Sequence, residues 1–321
     1  MINELLHKRL IFVTGKGGVG KSTLVACLAL LIHQQTERRV LACEAGPCSA
    51  LGPLLGLGAP LGHAPVRSPS GLAASNVDPD RALMGITQRF LRSPTIARAT
   101  VSNPFTQLFF KTAPFVSELA TLLHLRQLLH PTEGDWDTVV FDLPSTGHAT
   151  SFLTAPSTAH GLLRVGGLAQ LTQRLDEALR DPEHTSIVLV TRPEPLPILE
   201  TVTLHAQLTQ ALGPTLHHVF INMVHPNPLG DAERDALNRL TARASGDDLP
   251  PALTRLIEGG VRGVSQRDQE QRQIARLKAA LPSLQQTALP YLFNARSDPD
   301  LVTHLTDVLT NALDAQRRAP Y

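Results

Sequence analysis

Between an apolar run, "LIFV" at residues 10–13, and a leucine-rich stretch that begins at Leu24 lies "GKGGVGKS", residues 15–22. The octet satisfies G-x-x-x-x-G-K-[ST], and that pattern makes sense only as a loop between a buried strand and a helix. Glycines let the backbone wrap closely, so that successive N–H groups face phosphate oxygens. The helix that follows adds its positive N-terminal end. Gly15, Lys16, Gly17, Gly18, Val19 and Gly20 form the cradle. Lys21 supplies a cation for the β- and γ-phosphates, Ser22 a hydroxyl for Mg²⁺, and Thr23 one for a phosphate.

The same letters fit G-x-G-x-x-G through Gly15, Gly17 and Gly20, with Glu44 at the end of the next strand as a ribose acid. That dinucleotide reading leaves Lys16, Lys21 and Ser22 unexplained. A nucleoside triphosphate with Mg²⁺ accounts for all of them.

The rest of the chain alternates. "RRVLACE", "DTVVFD", "TSIVLVT" and "LHHVFINM" read as buried strands, with "GLAASNVDP" and "TALPYLF" as weaker ones. Helical spacing appears in "KSTLVACLALLIHQQ", "PILETVTLHAQLTQAL" and "DPDLVTHLTDVLTNAL". Alternation of this kind predicts one α/β domain over residues 1–321. Its core is a mostly parallel, doubly wound sheet flanked by helices. The Gly- and Pro-rich stretch 51–71 reads as a surface loop. Residues 78–134 hold no convincing strand and read as an all-helical insert. Its phenylalanines Phe105, Phe109, Phe110 and Phe115 serve either its own core or an apolar surface for a client.

A formal net charge of +1 and 4% aromatic residues give no case for nucleic acid. "LVACLALLI" is too short to span a bilayer. "LDAQRRAPY" at residues 313–321 makes a poor membrane helix, so membrane association is expected only through a partner. Three cysteines without a secretory pattern point to a cytoplasmic chain. Cys27 reads as core. Cys43 and Cys48 stand in a C-x₄-C spacing with no second pair, which argues against a metal site.

Two further charged residues extend the motif. Asp142 ends the strand "TVVFD", where an acid can hold Mg²⁺ or its waters. Lys16 sits at the outer edge of the loop. A loop with this second lysine resembles the deviant P-loop of the MinD, nitrogenase iron protein and ArsA class of dimerising ATPases. In that class the lysine acts across a dimer, so the resemblance gives Lys16 a catalytic role beside Asp142. "DLPSTGHATSFLTAP", residues 142–156, resembles the switch II segment of the ArsA family. There it senses the γ-phosphate. Standing alone, His148 in this segment reads as a structural histidine. "VTRPEPLPILET" resembles another family segment, and Asn222 and Pro290 match positions that hold adenine. "FVSELATLLHLRQLL" is similar to the end of the family's helical insert. The resemblance thus implies ATP and Mg²⁺ as cofactors, bound at residues 15–23, Asn222 and Pro290. Mg²⁺ would rest on Ser22 directly and on Glu44 and Asp142 through water. The implied partner is a second copy or a paralogous ATPase.

Several family markers are absent from the sequence. No C-x-x-C occurs, and there are three methionines, where the tail-anchored-protein targeting factors have a zinc-binding pair and a methionine-rich groove. The cysteines differ from those that hold metalloids in the arsenite pumps. One P-loop stands where the duplicated pumps have two. The family's water-orienting switch I aspartate falls on Gly46, and a glycine can neither orient water nor accept a proton. The expectation is an ArsA-like ATP-driven switch whose own hydrolysis is weak or partner-dependent. The alternatives are a non-hydrolysing nucleotide-binding subunit and, more weakly, a MinD-like positioning ATPase.

Overall fold

The computed structural model describes residues 2–91, 115–130, 134–162, 167–213, 215–227, 229–244 and 250–318. Phe105, Phe109 and Phe110 lie outside the described residues.

The chain runs α1 (Ile2–Leu5), β1 (Leu10–Gly15), α2 (Lys21–Gln35), β2 (Val40–Glu44), α3 (Leu51–Leu54), β3 (Val66–Arg67), β4 (Ala73–Asn76) and α4 (Pro79–Leu91). After α4 come α5 (Val116–Leu128), β5 (Thr138–Asp142), α6 (Thr146–Leu162), α7 (Gly167–Arg180), β6 (Thr185–Thr191) and α8 (Pro195–Leu212). The last elements are β7 (Leu216–Val224), α9 (Asp231–Ala244), α10 (Pro251–Ala280), β8 (Gln285–Pro290) and α11 (Asp298–Arg318). The strands form one sheet in the order β3-β4-β2-β5-β1-β6-β7-β8. Every pairing is parallel except β3 with β4.

Side chains alternate across a strand, and the sheet uses both faces. Ile11 and Val13 of β1 join Val140, Val188, Val190 and Phe220 in one core with α2 and α11. Leu10 and Phe12 point the other way, to Phe141, Leu189 and Ile221, under α5, α6 and α8. Residues buried on both faces must be apolar throughout, which is why these strands read as continuous hydrophobic runs. In α2, Leu24 to Ile32 are all buried. The run is therefore a central helix wedged between sheet and α11.

The stretch 51–71 departs from the loop expected of it. Leu51, Leu54 and Leu55 share one helical face and are buried with Leu61 in the α2 core. Val66 and Arg67 pair antiparallel with β4. Glycine and proline masked a one-turn amphipathic helix. The described helices of the region 78–134 are α4 and α5. Leu122, Leu125 and Phe115 pack on the same apolar cluster as Phe12 and Phe141 of the sheet.

Candidate nucleotide site at the C-terminal edge of the sheet

β1 lies at the centre of the sheet, between β5 and β6, and its C-terminal end leads into the loop 15–20. The crevice beyond the carboxyl ends of parallel strands is where open α/β sheets bind ligands. Val13 is in register with Asp142, and Cys43 with Phe141. Glu44 and Asp142 thus end neighbouring strands beside the loop.

Ser22 Oγ donates to Asp142 Oδ2 at 2.5 Å. The other carboxylate oxygen, Oδ1, is buried with no partner among the described residues, and so is Oε1 of Glu44. Burial raises the Asp142 carboxyl to about 6, against the opposing pull of the Ser22 hydroxyl and the Lys21 ammonium; Glu44 adds to the rise. Burial also lowers the Lys21 ammonium, while Asp142 supports its charge. Lys21 Nζ donates to the Lys16 carbonyl at 3.3 Å, across the mouth of the loop. Two hydrogen-bond-starved carboxylate oxygens and a hydroxyl form a hard, all-oxygen donor set, which fits Mg²⁺ better than a softer metal. When bound, the ion would neutralise charge between these carboxylates and a phosphate. Serine and the two acids would hold it.

Glu44 has a second task. Its Oε2 accepts the backbone N–H groups of Ala50 and Leu51, at 2.9 and 3.1 Å, at the start of α3. One oxygen thus fixes the start of α3, while the other is the buried one with no partner among the described residues. Pro144 is tied to the P-loop strand through its carbonyl, which accepts from Thr14 Oγ1 at 3.3 Å. His148 is exposed at the start of α6.

Asn222, at the end of β7, is buried. Its Nδ2 donates to the Val19 carbonyl at 2.9 Å, and its Oδ1 accepts from the Met223 N–H. The carboxamide therefore buttresses the loop. Gly20 stands against it with φ +93°, and a Cβ there would lie 2.2 Å from Asn222 Nδ2. Only glycine fits. Pro290 ends β8 opposite Val224.

Lys16 Nζ makes an ion pair of 2.8 Å with Glu200 Oε1 on α8. Glu200 was visible in the sequence only as a letter of the "VTRPEPLPILET" segment; its pairing with the loop is a tertiary fact. Cys43 is buried, 3.2 Å from Ser75 Oγ, and Cys48 is exposed. Among the described residues no group of three or more His, Cys, Asp or Glu side chains is placed to hold a metal. Among the same residues no helix is long and apolar enough to cross a membrane.

A glycine cradle after the central strand, with a serine-bound acid on the adjacent strand, defines a P-loop nucleotide-binding protein. The model of the anion-transporting ATPase family, the ArsA-type ATPases, matches residues 8–171 and 167–244, and the chain belongs to that family. It is 29% identical over 219 residues to the arsenical pump-driving ATPase of Acidiphilium multivorum, covering 62% of this chain and 37% of that protein. It is 28% identical to a putative arsenical pump-driving ATPase of Halobacterium salinarum, covering 60% and 32%. It is 27% identical to the ATPase GET3 of Kluyveromyces lactis, covering 65% of this chain and 70% of that one. The matched region thus spans about a third of the length of these pump-driving ATPases.

Proposed function

We propose that this chain is an ATP-operated switch that closes with a second subunit around MgATP and passes the change to a partner through the helical region 78–134. The observation that carries this reading is the Ser22–Asp142 contact with the two unpartnered oxygens of Asp142 and Glu44 beside it. In this reading Gly15 to Gly20, Lys21 and Thr23 hold the phosphates. Ser22 takes the metal, and Asp142 and Glu44 its waters. Lys16 is the group offered to a facing subunit, a second copy or a paralogous ATPase. Asn222 and Pro290 border the base.

The chain's own hydrolysis is weak, because the switch I position for a water-orienting aspartate is Gly46. That same glycine favours a second reading, a nucleotide-binding subunit that never cleaves ATP. Prolonged retention of intact ATP by the purified protein supports the second reading, and turnover that appears on adding a partner supports the first.

MgATP at a hundred times its dissociation constant should stabilise the fold by about 2.7 kcal/mol, and NAD should not. Heat-shift titration measures this, with Lys21→Ala as the control that loses the shift. A shift with NAD alone would restore the dinucleotide reading.

The Lys16–Glu200 pair predicts a further effect. Both side chains are about 30% exposed, so the pair contributes only about 0.2–1 kcal/mol to the fold. It does hold Lys16 within its own subunit. Glu200→Ala should leave thermal stability nearly unchanged. It should tighten MgATP-dependent self-association by up to about fivefold, the same energy expressed as an equilibrium. Sedimentation at several concentrations reads this directly, and weaker association would show that Glu200 positions Lys16 for its partner.

A further inference from the structure

At the end of the sheet opposite the P-loop, a cavity of about 310 Å³ opens between the start of β1, the end of α5, helix α7 and the turn before β6. β1 runs from this cavity at Leu10 to the phosphate cradle at Gly15, on the order of 17 Å of extended chain. The cavity is therefore separate from the nucleotide site. Its floor is apolar. Leu10, Leu129, Leu175 and Leu179 line it, and each is buried. Protein interiors are close-packed and leave few apolar spaces of this size open.

The rim is cationic. Arg9 and Arg126 border the cavity, with His130 and His184 beside them. Arg9 Nη2 donates to the Leu129 carbonyl at the end of α5, which fixes the guanidinium at the rim with further N–H groups to spare. The Arg126 guanidinium, on half-buried α5 surface, has no partner among the described residues. The acid among the lining residues, Asp181, is already engaged through both oxygens. Its Oδ2 lies 2.6 Å from His184 Nδ1, and its Oδ1 accepts the Glu183 N–H at 2.9 Å. The charge left to a ligand is thus positive.

The walls are preformed. The His184 carbonyl accepts the N–H groups of Arg9 and Leu10 at 2.9 and 3.1 Å. Lys8 Nζ donates to the Pro182 carbonyl at 2.6 Å, and Thr185 Oγ1 donates to the Ala178 carbonyl at 2.8 Å. A ligand here meets walls that need no ordering, which lowers the cost of binding.

We propose that this cavity binds a small amphipathic carboxylate, an anionic head on a short aliphatic body. The planar forks of two arginines match a carboxylate. A bare inorganic anion would leave the leucine floor uncovered, and a neutral hydrocarbon would leave Arg126 unpaired. A volume of about 310 Å³ is at the lower end of small-molecule sites, which suits a medium-length chain. The bound ligand ties the end of α5, in the helical region 78–134, to α7 and the foot of β1.

The test is calorimetric titration of the full chain with octanoate, with octan-1-ol, which has the body without the charge, and with inorganic phosphate, which has the charge without the body. Octanoate should bind with a dissociation constant of about 1 mM or tighter, the affinity expected of about ten non-hydrogen atoms. It should bind at least about tenfold more tightly than either comparator. Arg126→Gln should weaken octanoate by about tenfold or more, the loss of a charge-assisted hydrogen bond. Ala178→Leu, which fills the cavity from α7, should abolish octanoate binding. Thermal unfolding identifies the variants that remain folded. Octan-1-ol or phosphate binding as tightly as octanoate overturns the proposal even if both variants fail to fold. Folded variants that bind octanoate like the wild type overturn it, and so does a wild type that does not bind octanoate.

Discussion

Asp142→Asn should make the nucleotide-free protein more stable than the wild type at pH 7.5, by up to about 3 kcal/mol, while removing the effect of Mg²⁺ on ATP binding. The carboxyl titrates near 6 in the fold and near 3.8 in an ordinary aspartate. Between those values the folded state binds a proton that the unfolded chain has released. Stability is therefore fully present below about pH 4 and is lost as pH rises through 6. A shift of about 2 units corresponds to about 3 kcal/mol. Asparagine carries no charge to bury and still accepts from Ser22. Urea unfolding at pH 4 and 7.5 should show the two proteins close at the lower pH and separated at the higher. Equal stability at pH 7.5 would mean that Asp142 is well solvated. On the binding side, Mg²⁺ added to ATP should raise the melting temperature of the wild type and leave that of the variant where ATP alone puts it. The group that the resemblance selects for metal binding is thus the one whose charge the empty fold tolerates least. Such a conflict between stability and function marks sites built for a cation.

The phosphate-loop motif, its flanking strand and helix, and the places of the remaining main strands along the chain were legible because each rests on local rules. Gly20 needs a positive φ, β1 must be apolar on both faces, and Asp142 ends a β-branched run. These requirements leave letters in the sequence. What the letters hid are contacts between distant segments. Glu44 was singled out as a metal acid through resemblance, but nothing marked it as the acceptor that caps α3, because Ala50 and Leu51 offer only backbone N–H groups there. Asn222 was singled out through resemblance to positions that hold adenine. Its hold on the Val19 carbonyl depends on the approach of β7 to the loop, across 203 residues of chain. The pairing of Lys16 with Glu200 spans 184 residues and has no periodic signature. The one-turn helix α3 was concealed by composition, since three leucines on one face count for less than the glycines and prolines around them. α10 has a weak apolar pattern, with Ile257, Ile274 and Leu277 buried among charged residues. Its place emerges only in the fold, where Glu270 pairs with His225.

Gly46→Asp should raise ATP turnover about 10²-fold, equivalent to about 2.7 kcal/mol of barrier, with nucleotide affinity unchanged. Gly46 follows β2 two residues after Glu44, and nothing lies within 4 Å of a Cβ built there. A carboxylate has room. The obstacle is the backbone. Gly46 has φ +151°, a conformation that side chains rarely adopt, and its carbonyl is held by Asn76 Nδ2 at 3.0 Å. An aspartate must either take that strain, at about 1–3 kcal/mol, or release Asn76 and let the segment move. Switch segments move as they work, so the second route is open once nucleotide is bound. Gly46→Ala separates the two effects, since it carries the same backbone cost and brings no group that can orient water. Turnover in the aspartate variant alone, with both variants destabilised alike, would show that the remaining hydrolytic machinery is intact and that this chain lacks one group. If the aspartate and alanine variants turn over equally slowly, the loss is not confined to Gly46. The conformation of the segment, with Glu44 capping α3 and Asn76 holding Gly46, then belongs to a subunit that binds ATP and leaves cleavage to its partner.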